Sequence, residues 1–107
     1  MDYQEVARRF AEDVKKLLGD SIREIVLFGS VARGDYSENS DVDVLVVVEG
    51  NAWEAQKKVS DVVVDYLTEY GVYVSAKVIS LEEFELMKSL NTAFYRNIQR
   101  EGVLIGR

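Results

Sequence analysis

Residues 44–48 read VLVVV, an uninterrupted aliphatic run the chain has to bury, yet Asp41 and Asp43 stand at its entrance. A short apolar run bounded by turn residues marks a buried β-strand, here 41–48. Upstream, IREIVLF (22–28) is apolar, β-branched and stopped by Gly29, which makes it a second strand. With 107 residues, 48% of them hydrophobic and 30% charged, the chain has material for one soluble domain, 1–107, and one core.

The remaining elements follow from period and punctuation. Val6, Phe10, Val14, Leu17 and Leu18 recur at three- and four-residue steps, which predicts an amphipathic helix over 3–18. Gly19 suits its C-terminal cap. Asn51 and Glu54 form a capping box that opens a helix running to about residue 70. Its apolar stripe is Val59, Val62, Val63, Tyr66, Leu67 and Tyr70, and Gly71 ends it. VYVSAKVI (72–79) reads as a third strand. Ser80 and Glu83 cap a short helix to about residue 90, a further helix covers 92–100, and GVLI (102–105) is a last short strand. This order predicts an α/β (α+β) sandwich with helices packed on a small sheet. Not every connection has crossover length, so the sheet is expected to be mixed.

Absences narrow the chemistry. Without cysteine or histidine there is no disulfide, no thiolate or Ser-His-Asp nucleophile, and no imidazole or thiolate metal site. Catalysis would rest on carboxylates, hydroxyls, Lys, Arg, backbone amides or a hard cation. The N-terminal MDYQEVARRF has no apolar signal core, and no run approaches the roughly 20 apolar residues of a membrane span. A cytoplasmic protein without membrane contact is expected. The net charge of −6, from 13 basic and 19 acidic residues, disfavours non-specific binding along a nucleic-acid backbone. It leaves room for a nucleotide that arrives with its own magnesium.

A strand that ends in Gly29-Ser30 and turns into a short helix would expose free amides able to cradle phosphate. Residues i and i+2 of a strand share a face, so Asp41 and Asp43 project together while Val42, Val44 and Val46 enter the opposite layer. Two adjacent carboxylates repel, and in apolar surroundings one would take a proton. A Mg²⁺ ion between them removes that penalty and completes its shell with water and substrate phosphates.

Taken together, Gly29-Ser30, Ala32-Arg33-Gly34 and Ser40-Asp41-x-Asp43 closely resemble the signature of the DNA polymerase β-like nucleotidyltransferase superfamily. The chain is similar to its minimal nucleotidyltransferase (MNT) group, whose better-known members are antitoxins paired with HEPN-domain partners. The resemblance implies the nucleotidyltransferase fold and transfer of NMP, AMP from ATP foremost, to an acceptor hydroxyl such as a tyrosine of a HEPN partner. It implies Gly29 and Ser30 on nucleotide phosphate, and Asp41 and Asp43 as the metal-binding, catalytic pair for Mg²⁺ or Mn²⁺. Arg33 matches the family's arginine; it either pairs locally with Asp35 or Asp41 or approaches the triphosphate. A domain this small is expected to work inside a complex, with a HEPN partner or as a homo-oligomer.

The pattern departs in one place. Active members of the superfamily usually bring a third carboxylate from a later strand, and VYVSAKVI has none; Tyr73, Ser75 and Lys77 share one of its faces. Three readings stay open: transfer with two carboxylates, an acid supplied by Asp61, Asp65 or Glu69 of the preceding helix, or a domain that binds nucleotide or partner without catalysis. Lys77 near the aspartates could partly replace a cation. Tyr73, Tyr95 and Trp53 are candidates for stacking a base, against the commoner reading of aromatic side chains as core. Lys88, Arg96, Arg100 and Arg107 make the C-terminal third relatively basic, a solvated face or a docking surface for an acidic partner.

Overall fold

The structure, a computed structural model, describes residues 2–107. The Asp2 carboxylate accepts from the Gln4 amide at 3.0 Å and starts α1 (Tyr3–Leu18). After a 3₁₀ turn (Gly19–Ser21), β1 (Ile22–Phe28) runs directly into the short α2 (Gly29–Arg33). A loop then reaches β2 (Val42–Val48). The Asn51 side chain accepts from the Glu54 amide at 3.1 Å and opens α3 (Ala52–Tyr70), which leads to β3 (Val74–Ser80). Ser80 closes β3 and caps α4 (Leu81–Ser89) through its hydroxyl on the Glu83 amide at 3.0 Å. Thr92 caps α5 (Ala93–Glu101), and β4 (Val103–Gly106) follows.

The four strands lie in the order β3-β2-β1-β4. β1 is antiparallel to both neighbours and β2 is parallel to β3, so the sheet is mixed as expected. Parallel pairing needs a long return, and α3 supplies it. Alternation along β2 then sorts the core into two layers. Val42, Val44, Val46 and Val48 pack with Val6, Phe10 and Val14 of α1 and Val59 and Tyr66 of α3. Leu45 and Val47 face the other way, against Val26, Ile79, Phe84 of α4 and Ile98 of α5. The VLVVV run is therefore continuous because helices cover both faces of its strand. Truncating Leu45, fully buried between the layers, to Ala would cost about 2–5 kcal/mol.

Some expectations shift. β2 begins at Val42, leaving Asp41 in the approach to the strand, and β3 begins at Val74 rather than at residue 72. Tyr73 still lies alongside, since its carbonyl accepts from the Val42 amide at 3.0 Å. β4 covers 103–106, one residue later than the sequence suggested. Leu17 and Leu67, read as part of the apolar stripes, are exposed, while Leu18 and Tyr70 further along the same helices pack on the core. Among the described residues no helix is long and apolar enough to cross a membrane.

Candidate active site

Antiparallel pairing puts the end of β1 beside the start of β2. Phe28 stands opposite Asp43, so the next residue, Gly29, begins α2 against the Asp43 side chain. The contact leaves no room for a larger residue. A Cβ on Gly29 would overlap the Asp43 carboxylate oxygen and lie 3.1 Å from its Cγ. Gly29 also has φ +73°, a region costly for L side chains. Two independent constraints thus select glycine here. The first amides of a helix have no carbonyl one turn back, so α2 starts with free donors next to a carboxylate pair.

Asp43 is partly buried and Asp41 exposed. Burial pushes the Asp43 carboxyl above its ordinary pKa, the Asp41 charge adds to this, and the Arg33 guanidinium opposes it. That Asp41 is felt at Asp43 agrees with both projecting to one side, the α4/α5 side of the sheet. The donor set suits a hard divalent cation: two carboxylates in mutual repulsion, relieved by a positive charge between them. Among the described residues no group of three or more acidic, histidine or cysteine side chains comes together. The pair would thus supply two ligands and leave the rest of the shell to water and phosphate.

Gly34 closes α2 with φ +84°, donating to the Ser30 carbonyl at 2.9 Å, and the Asp35 amide donates to the same carbonyl at 3.1 Å. This turn brings Asp35 back beside Arg33. Its Nε donates to Asp35 at 3.2 Å and its Nη1 to Glu101, at the end of α5, also at 3.2 Å. Both partners hold the guanidinium in its charged form, Asp35 more strongly. The expected partner Asp35 is therefore correct and Asp41 is not. Glu101 was missed: it lies 68 residues away, and nothing in its local sequence marks it.

Cavities of about 610, 550 and 180 Å³ lie elsewhere, and neither aspartate lines any of them.

The nucleotidyltransferase domain family matches residues 7–104. The chain belongs to that family. A candidate protein adenylyltransferase of Methanocaldococcus jannaschii is 37% identical over 102 residues, covering 95% of this chain and 96% of that protein. Solved structures share the fold at low identity. A candidate nucleotidyltransferase from Sulfolobus solfataricus is 22% identical with a TM-score of 0.53, over 95% of this chain and 81% of that one. A chain in the structure of tri-AMPylated Shewanella oneidensis HEPN toxin in complex with MNT antitoxin is 15% identical with a TM-score of 0.50, over 95% of this chain and 71% of that one.

The fold of this nucleotidyltransferase decides among the sources of a third acid. Ser75 lies in register with Asp43, and Lys77 with Leu45. Asp61, Asp65 and Glu69 are exposed on α3, which packs on the opposite face of the sheet, so the helix does not supply the missing carboxylate. Lys77 does not act as the replacement cation either. Its ammonium sits 5.1 Å from the centre of the Phe94 ring, and the cation felt at Asp43 is Arg33. Of the candidate stacking aromatics, Tyr95 packs on Phe84 in the second core layer. Trp53 is 69% exposed at the far end of β2, roughly 20 Å of strand from the aspartates. Tyr73 alone remains exposed near Asp41.

Proposed function

We propose that the chain transfers a nucleoside monophosphate, AMP from ATP, to an acceptor hydroxyl, with Asp41 and Asp43 holding the divalent cation. The observation that carries this reading is the packing of Gly29 against Asp43, which joins the start of α2 to the carboxylate pair. The Gly29 and Ser30 amides would hold the outer phosphates, and Arg33 lies close enough to the pair to contribute positive charge. A bound Mg²⁺ or Mn²⁺ would offset charge on the α-phosphate and the departing pyrophosphate. In the transfer, the acceptor oxygen bonds to the α-phosphorus as the bond to the pyrophosphate oxygen breaks. The acceptor proton passes to solvent.

That last step favours one class of acceptor. Where no third carboxylate serves as base, a tyrosine phenol, with an ordinary pKa of about 10, gives up its proton more readily than an aliphatic hydroxyl. A tyrosine of a HEPN-domain partner, with the chain acting as its antitoxin, fits this requirement. The likeness to the AMPylated toxin–antitoxin assembly supports the choice. The second reading is a nucleotide- or partner-binding module, and Ser75 in place of an acid favours it.

Incubation with labelled ATP, Mg²⁺ and the HEPN partner separates the two. Label on the partner that disappears with Asp41→Asn/Asp43→Asn supports the enzyme. Absence of transfer, with partner neutralisation unaffected by the double substitution, supports the module.

A further inference from the structure

The two margins of the sheet are treated differently. On β3 the Gln56 amide of α3 lies along the outer flank. Its Nε2 donates to the Ala76 carbonyl at 3.3 Å, and its Oε1 accepts from the Val78 amide at 3.0 Å. These bonds imitate the ladder that another strand would make, and they block one. On β4 there is no such clasp among the described residues. Val103, Leu104 and Gly106 pair with β1 on one side only, and Val103 and Leu104 are 46% and 43% exposed.

Beside the β4 flank runs the cavity of about 610 Å³, between β4 and α1. Arg8 and Lys15, seven residues apart on one face of α1, line it together with Arg107 past the end of β4. Ion pairs engage Arg9, Arg23, Arg33 and Arg100; Arg8, Lys15 and Arg107, like the lysines and Arg96 elsewhere, have no carboxylate partner among the described residues, but only these three line one cavity. In a chain of net charge −6, three unpaired cations gathered along an unpaired strand run against the charge of the whole.

We propose that the β4 flank receives an extended acidic segment of a partner protein, which adds as a fifth strand with its carboxylates toward Arg8, Lys15 and Arg107. Backbone groups of β4 would supply the binding and the three cations the selection of sequence. A second copy of this chain fits poorly, since it would bring two cationic grooves together. Nucleic acid fits poorly too, because strand addition uses backbone donors and acceptors it lacks and the chain as a whole repels it. The inference does not depend on nucleotidyl transfer and stands if that activity is absent.

The test uses the full chain and a fluorescent octapeptide of alternating Glu and Val, beside the same peptide with Lys for Glu. Binding of the acidic peptide alone is expected, with amide exchange at 103–106 slowed roughly tenfold and 74–80 unchanged. Arg8→Glu/Lys15→Glu, at two exposed positions, should weaken that binding roughly tenfold while keeping the melting temperature. Each of these results overturns the proposal: equal or no binding of the two peptides, protection appearing on β3, undiminished binding by the variant, or displacement of the peptide by oligothymidylate. Protection of 103–106 in a peptide-free dimer would overturn it in favour of a second copy.

Discussion

Gly29 allows a prediction in which backbone and side-chain costs separate. Gly29→Ala has to place a methyl at φ +73° and into the Asp43 carboxylate. The left-handed backbone costs roughly 1–2 kcal/mol for an L residue. Moving the Asp43 side chain off its preferred rotamer adds roughly 0.5–1.5 kcal/mol. The expected loss is thus about 2–3 kcal/mol, a fall in melting temperature of roughly 10–20 °C for a domain of this size. Gly34→Ala is the internal control: φ is +84°, but no atom lies within 4 Å of its Cβ, so only the backbone cost of roughly 1–2 kcal/mol applies. A double-mutant cycle by urea denaturation should therefore show coupling of about 1 kcal/mol between Gly29→Ala and Asp43→Ala. Between Gly34→Ala and Asp43→Ala there should be none. Equal losses at the two glycines, or no coupling at Gly29, would refute the argument that Asp43 is pressed against the start of α2.

Further outcomes test the electrostatics and the sheet margin. The Asp43 pKa is raised in the fold, so the folded state holds its proton longer and the protein loses stability as pH rises through that window. Asp43→Asn should then melt higher than the parent at pH 7, lose that advantage below about pH 4, and show no stabilisation by Mg²⁺ with ATP. Ser75→Asp, in register with Asp43, should tighten Mg²⁺ binding measured by calorimetry while lowering the melting temperature without metal; unchanged Mg²⁺ affinity would mean that position 75 does not reach the site. Glu101→Gln leaves Arg33 with Asp35 and should change stability by less than about 1 kcal/mol. If Arg33 serves the phosphates, ATP titration of that variant shows tighter binding. Gln56→Ala should cost about 1–2 kcal/mol by denaturation and increase self-association through β3.

Local chemistry was legible where it acts over a few residues. Asn51, Ser80 and Gly71 mark helix ends because a cap needs only its own turn. The proximity of Gly29, Arg33 and Asp41 to Asp43 was readable because they lie within fifteen residues of one another. What stayed hidden depends on the chain's return. That α3 covers the face away from the aspartates, and so cannot lend Asp61, Asp65 or Glu69, follows from sheet order rather than from period. The same holds for Glu101 on Arg33, and for β4 settling beside β1 instead of β3. The inward expectation for Leu17 and Leu67 failed because helical periodicity marks an apolar face but not which side chains at its margin are covered; Leu18 and Tyr70 of the same stripes do pack on the core.

The antiparallel pairing of β1 with β2 also has a consequence for how such a protein can diversify. The glycine turn and both aspartates belong to one continuous segment, residues 22–48, folded back on itself. The opposite cover of the sheet, α4 and α5, comes from a separate stretch, 81–101. Substitutions in the second stretch can therefore accumulate without altering the Gly29–Asp43 contact of the first. The ion pair from Arg33 to Glu101 is where a change in one stretch would be felt in the other.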